Sequence, residues 1–240
     1  MKPVLVLTAV PQEARPVEAF LHNRERFQVS GLSLVRGLLG KNVVWVLTSG
    51  AGVSNTAARL AVVLATVRPD WVLQVGCGGM YPGSGLAMGD LALATEELDL
   101  HTGLESASVY PFPLPFSLLE NTPLRPGRYL AEKNLLQKAM DLFQEKIPRP
   151  PVCGPFVTVS TVTTKKKTAF AIARETSGIL ENMEGAAAFH TAALYGVPIL
   201  ALRSVSNPVG SRKQGDWDLE TAFIRGGEGA RILLEAGLKG

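Results

Sequence analysis

Five places in this chain set polar or glycine residues where a short apolar run ends. Glu13 follows the run PVLVLTAV, inside AVPQEARP. Ser49 to Gly52 (SGAG) lead into an alanine-rich stretch. VGCGGM, residues 75–80, carries Gly76, Cys77, Gly78 and Gly79. Glu184 lies in ENMEGAA, residues 181–187. Asn207 closes RSVSN, residues 203–207. Crowded glycines let something approach the backbone closely, and phosphate is the usual candidate. Yet SGAG is neither a complete GxGxxG nor a GxxxxGK[ST] motif. VGCGGM has no Lys or Arg beside it and is preceded by Gln74. A first-turn carboxylate such as Glu13 also suits a helix dipole without any catalytic role. Glu184, at the junction of an apolar run and an alanine-rich segment, is costly to bury unless something donates hydrogen bonds to it. Taken singly, each feature has an ordinary structural explanation.

The elements that would position these residues follow from apolar runs. Continuous Val, Leu and Ile predict strands at 3–9, 42–48, 71–76, 90–95, 154–163, 179–183 and 198–205, buried on both faces. Helical patterns fall at 53–67, 132–145, 165–175, 185–195 and 217–236. The alternation predicts a single α/β domain over 1–240, a three-layer αβα fold with a central mixed, twisted sheet. In such sheets ligands bind beyond the carboxyl ends of the strands, which is where the five features fall. Residues 101–128 break the pattern. They hold five of the 16 prolines and the stretch YPFPLPF, and suit either a binding loop or a surface excursion or subunit contact.

Composition narrows the function. The chain has 240 residues, 46% of them hydrophobic and 19% charged, with a net charge of +3, the profile of a globular chain. Its one tight basic run, Lys165 to Lys167, reads as a solvated helix start, so no nucleic-acid partner is expected. Cys77 and Cys153 make no CxxC, and His22, His101 and His190 have no ligand spacing, so neither a metal nor another cofactor is implied. No apolar stretch approaches the roughly 20 residues of a membrane span. The opening run is broken by Pro11, Gln12 and Glu13, unlike a signal peptide. A cytoplasmic location with no membrane partner is the expectation.

In order, AVPQEA, SGAGVSNTA, PDWVLQVGCGGM, GDLALATEE, ENMEGAA, GVPILALRSVSN and VGSRKQGDW, spanning about residues 3–224, resemble the nucleoside phosphorylase and nucleosidase superfamily. Within it the pattern is similar to methylthioadenosine/S-adenosylhomocysteine nucleosidases and, more closely, to futalosine hydrolases of menaquinone biosynthesis. The resemblance implies a nucleoside phosphorylase-like fold, a small-molecule nucleoside substrate, and a homo-oligomer, a dimer or larger. It implies that Glu13 activates the attacking water and that Glu184 holds the ribose hydroxyls, two acceptors for two donors. Met183 would pack on the sugar. Gly52, Cys77 and Gly78 would lie against the substrate. Val162 and Thr163 would contact the base. Cys77 has no histidine placed to activate it and reads as a small wall residue.

Two departures refine what the resemblance implies. Phosphorylases of the superfamily carry an arginine where this chain has Gln74, so phosphate would lose a charge-assisted contact. Adenine-specific nucleosidases carry aspartate where this chain has Asn207. As the glycosidic bond breaks, N7 of the base gains a proton. An amide matches the donor–acceptor pair N7–H and O6 of hypoxanthine, whereas a carboxylate matches the two donors of adenine. The expected activity is hydrolysis of futalosine to hypoxanthine and dehypoxanthinylfutalosine, with Arg212 facing the substrate's 5′ carboxylate and YPFPLPF covering its apolar part. The alternatives are a methylthioadenosine/S-adenosylhomocysteine nucleosidase, a purine nucleoside phosphorylase, or a non-catalytic nucleoside-binding protein.

Overall fold

The apolar runs become the strands of one sheet. A computed structural model describes residues 3–120, 126–211, 213 and 215–238. In chain order the elements are β1 (Val4–Thr8), α1 (Pro11–Ala19), β2 (His22–Val29), β3 (Leu32–Leu39), β4 (Asn42–Thr48), α2 (Val53–Val67), β5 (Trp71–Met80) and β6 (Leu91–Asp99). They continue with β7 (Arg128–Leu130), α3 (Lys133–Lys146), β8 (Val152–Thr158), α4 (Lys166–Thr176), β9 (Leu180–Asn182), α5 (Gly185–Leu194), β10 (Ile199–Pro208) and α6 (Leu219–Glu235). None of the described helices is long and apolar enough to cross a membrane.

The sheet is mixed, as the sequence predicts, with order β10-β6-β8-β9-β5-β1-β4-β3-β2 and β7 on β6. β1 lies parallel between β4 and β5. β10 pairs parallel with β5 and antiparallel with β6, so β5, β10, β6, β8 and β9 close into a ring. Apolar side chains alternate between two faces. Val4, Val6, Leu73 and Leu202 join α1, α3 and α6 in one core, while Leu5, Leu7, Val72 and Ala201 join α2 and α5 in another. A third cluster sets α4 against Leu98, Val157 and Val209. Helices therefore cover both faces of the central sheet, the expected fold class.

Strand lengths depart from the sequence expectation where the number of partners decides. β5 runs on through VGCGGM to Met80 because β10 pairs with it through Pro208 and β9 adds Gly79 and Met80. Strand was predicted over 154–163, but β8 stops at Thr158, whose partners Asp99 and Asn182 are the last residues of their own strands. The sequence reading missed β2, β3 and β7. β2, HNRERFQV, is an exposed edge strand with charges that discourage edge pairing. Arg36 of β3 lies over both Phe27 and Trp45, at 5.8 and 6.0 Å from the ring centres.

Helix α6 packs so closely on its neighbours that adjacent glycines differ in purpose. A Cβ at Gly227 would overlap Pro16 of α1, whereas one at Gly226 would meet Val75 Cγ1 at 3.6 Å, an ordinary contact. Alanine is the better helix former by about 1 kcal/mol, but overpacking costs roughly 1–3 kcal/mol. Gly226→Ala should therefore stabilise the protein by up to about 1 kcal/mol and Gly227→Ala should destabilise it by about 1–2 kcal/mol. Urea unfolding of the two variants measures both signs.

Candidate active site

The carboxyl ends of β5, β9 and β10 converge with the start of α1 on a cavity of about 250 Å³. Glu13 is the N3 residue of α1, behind Pro11 at N1. Its side chain turns back in half of a capping box: Oε2 accepts from the N–H of Ala9 at 2.8 Å and of Val10 at 3.3 Å. Oε1 accepts from the Cys77 N–H at 3.0 Å. The carboxylate occupies the space that a side chain at position 76 would take, because a Cβ there would lie 2.6 Å from Oε1. Gly76 is thus a condition for Glu13 to enter the site.

Glu184 ends the β9–α5 turn. Its Oε1 accepts from the Gly52 N–H at 2.8 Å. Gly52 is the N-cap of α2 and has φ +87°, a left-handed value that favours glycine. Burial raises the Glu184 pKa, while the Arg203 charge and the Gly52 N–H oppose that rise. Arg203 is almost wholly buried and also bears on Glu97. It is not among the residues lining the cavity, and among the described residues no Lys or Arg lines it. Gln74 is 2% exposed and likewise stands off the cavity.

Asn207 lines the cavity with its amide oriented. Ser206 Oγ donates to Oδ1 at 2.8 Å and Nδ2 donates to the Pro208 carbonyl at 3.3 Å. Each contact uses half of the capacity of its atom. Cys77, Gly78, Met183 and Val162 also line the cavity. Burial, followed by the nearby Glu13 charge, pushes the Cys77 thiol up to about 12, so it stays neutral and unreactive at pH 7.

Two of the sequence-derived positions fall elsewhere. Thr163 is buried but does not line this cavity, and its N–H is taken by Glu181 Oε1 at 3.0 Å. Gly52 acts through its N–H on Glu184 rather than as cavity wall. Arg212 lies outside the described residues. Nor does YPFPLPF line the cavity: Phe112 and Phe116 are each 60% exposed.

The sequence reading also missed residues that the fold brings in. Trp217, Leu219 and Phe223, around the start of α6, form an apolar wall, and Glu181 adds a third carboxylate to Glu13 and Glu184. Trp217 closes the quoted VGSRKQGDW and Glu181 opens ENMEGAA, so the motifs held both. Behind the cavity, Glu97 is fully buried. It accepts from both Asn182 Nδ2 (3.1 Å to each oxygen) and Thr158 Oγ1 (2.9 Å). Asn182 Oδ1 in turn accepts from the N–H of Glu184 (3.0 Å) and Gly185 (2.6 Å). Glu97 thereby anchors the turn that carries Glu184.

Burial raises the Glu97 carboxyl to about 7, against the opposing Arg203 charge and the Asn182 and Thr158 hydrogen bonds. The folded protein then binds this proton more tightly than the unfolded chain. Its stability contribution is full below the unfolded value near 4.5 and is lost as pH rises to about 7. The difference amounts to about 3 kcal/mol. Wild type should lose stability relative to Glu97→Gln between pH 5 and pH 8. Unfolding curves that run parallel in pH would contradict the assignment.

The family model of the phosphorylase superfamily matches residues 3–236. A futalosine hydrolase of Thermus thermophilus is 32% identical, over 83% of this chain and 84% of that protein. A 5′-methylthioadenosine/S-adenosylhomocysteine nucleosidase of Chromohalobacter salexigens is 25% identical, over 100% and 97%. The solved structure of the Helicobacter pylori 5′-methylthioadenosine/S-adenosylhomocysteine nucleosidase with butyl-thio-DADMe-immucillin-A superposes with a TM-score of 0.85 at 20% identity, over 98% and 99% of the two chains. That last likeness concerns the fold.

Proposed function

This chain belongs to the phosphorylase superfamily, and from that premise we propose that it hydrolyses a purine nucleoside whose leaving base is a 6-oxopurine, with futalosine as substrate. The broader class is a nucleosidase of the N-glycosyl hydrolase type. Asn207 carries the choice of base. Its Oδ1 accepts the N7–H that forms as the bond breaks, and its Nδ2 donates to O6. Both atoms keep the capacity for this after their contacts with Ser206 and Pro208. Adenine would set its 6-amino group against the amide NH2. The identity to the Thermus futalosine hydrolase supports the same reading.

In the chemistry we propose, Glu13 takes a proton from the attacking water as its oxygen bonds to C1′ and the bond from C1′ to the base breaks, solvent supplies the N7 proton of the departing base while Glu13 returns its own to solvent, and Glu184 accepts hydrogen bonds from the ribose hydroxyls. Bond cleavage builds positive charge on the sugar, by analogy with glycoside hydrolysis. Fixed carboxylates in a water-poor cavity stabilise such charge without reorganising. The same carboxylates repel phosphate, and no Lys or Arg among the described residues lines the cavity to hold it; both support water as the nucleophile. The Trp217, Leu219 and Phe223 wall suits an apolar or aromatic group on the 5′ side of the substrate.

A second reading is a methylthioadenosine/S-adenosylhomocysteine nucleosidase. By the weight of named relatives the comparisons favour it, and an apolar wall serves a thioether equally well. Asn207→Asp separates the two. If the amide selects the 6-oxopurine, the variant loses at least about tenfold in kcat/KM for hypoxanthine release from futalosine and gains adenine release from methylthioadenosine, since a polar site rejects a mismatched base edge strongly. An unchanged ratio between the two substrates would remove Asn207 from base selection.

A further inference from the structure

Helix α5 is not capped by its own N-cap residue. That residue is Glu184, whose side chain accepts nothing from the first turn of α5. An N-cap side chain ordinarily takes one of those N–H groups. Here Glu184 Oε1 accepts instead from Gly52, the N-cap of α2, and the residue lines the cavity. The first N–H groups of α5 still need acceptors, because a helix start buried without them is costly. Two side chains from neighbouring strands supply them. Asn182 Oδ1 of β9 takes the N–H of Glu184 (3.0 Å) and of Gly185 (2.6 Å), and Thr158 Oγ1 of β8 takes that of Ala186 (2.8 Å).

Both of these acceptors are held by one residue. Glu97 of β6 receives Asn182 Nδ2 at 3.1 Å on each oxygen and the Thr158 hydroxyl at 2.9 Å on Oε2. The other acceptor near that hydroxyl is Asn182 Oδ1, at 3.5 Å, and its two lone pairs already serve two N–H groups. β8 stands between β6 and β9, so the three side chains come from three adjacent strands. Glu97 is fully buried directly beneath the helix start, where a Cβ at Gly185 would overlap its carboxylate. It does not line the cavity, so it acts on a bound nucleoside only through other groups.

We infer that Glu97 is a positioning residue for sugar binding: by capping α5 through Asn182 and Thr158, it releases the Glu184 carboxylate from capping duty and fixes it where ribose hydroxyls can reach it. This rests on the reading of Glu184 as the ribose anchor. Asn207, proposed above to face the base, stands on β10 and shares no hydrogen bond with the cap. Loss of the cap therefore weakens the hold on the sugar and spares the hold on the base.

The test is calorimetric binding of formycin B, 2′-deoxyformycin B and free hypoxanthine. Formycin B is a C-nucleoside analogue of inosine whose carbon–carbon bond is not hydrolysed. Formycin A, its 2′-deoxy form and adenine make the matching set, so the outcome does not depend on which base the protein prefers. Wild type should bind the preferred ribonucleoside at least about tenfold more tightly than its 2′-deoxy form, the range a hydrogen bond to a charged group supports. Glu97→Ala should bring the two within about threefold of each other and leave the affinity for free base within about twofold of wild type, as expected of an independent contact. Glu97→Gln keeps an acceptor for Asn182 and offers a donor to Thr158 Oγ1, and it should restore most of the ratio. Thr158→Val is nearly isosteric and removes only the Ala186 acceptor. It should narrow the ratio by about threefold, the scale of a lost cap, and serves if Glu97→Ala does not fold. Glu97→Ala, or in its place Thr158→Val, overturns the assignment if it keeps the wild-type ratio or weakens ribonucleoside, deoxynucleoside and free base alike. A wild type indifferent to the 2′-hydroxyl refutes the ribose-anchor reading itself, a result that needs no variant.

Discussion

The contact between the Glu13 carboxylate and the bare backbone of Gly76 is the constraint on which the rest of the site depends. A carboxylate this deep needs donors, and it finds them in the N–H groups of Ala9, Val10 and Cys77. Those donors belong to the end of β1, the entry to α1 and the middle of β5. They are together only because β1 and β5 are parallel neighbours. A Cβ at position 76 would lie 2.6 Å from Oε1 and force the carboxylate to shift. The glycines of VGCGGM are therefore not a phosphate cradle lacking its cation. Gly76 admits Glu13, Gly78 lets β9 approach through Leu180, and Gly79 makes room for Val209 and the Asn207 amide.

Electrostatics then divides the site. Glu13, Glu181 and Glu184 face the cavity, with Arg203 and Glu97 behind them. Each carboxylate meets a different kind of donor: the start of α1 and a β5 amide for Glu13, the N-cap amide of α2 for Glu184, a phenol and an amide for Glu181. On the proposed reading the surroundings of Glu13 and Glu184 fit water activation and sugar binding. The ring closed by β5, β10, β6, β8 and β9 fixes their spacing, and Glu97 fixes the turn that carries Glu184 through Asn182. A site built on strand ends and buried hydrogen bonds is held more rigidly than one built on loops.

Much of this was legible in the sequence, and what was not has a physical cause. Val-, Leu- and Ile-rich runs marked seven strands of the central sheet because burial on both faces favours consecutive apolar residues over alternation. HNRERFQV escaped notice because an edge strand needs no apolar face. Glu13, Glu184 and Asn207, singled out because they follow apolar runs, all line the cavity. Glu181 was not: it sits inside a three-residue strand, and only the register sets it on one rung with Gly79, far away in the sequence, and Asn207. Thr163, expected beside the base, donates its N–H to Glu181 and does not line the cavity. Gln74 was taken as the vacated seat of a phosphate-binding arginine. It is buried within the sheet, and its Oε1 has no partner among the described residues.

The claim that joins these observations is that water, not phosphate, attacks a 6-oxopurine nucleoside in a cavity ringed by carboxylates. The most direct measurement supplies the enzyme with futalosine, inosine, methylthioadenosine and S-adenosylhomocysteine, each with and without inorganic phosphate, and follows free base and sugar phosphate. The account predicts hypoxanthine from futalosine as the fastest release, at a rate indifferent to phosphate and with no sugar phosphate formed. Phosphate-dependent turnover yielding a sugar phosphate, or adenine released faster than hypoxanthine, would contradict it.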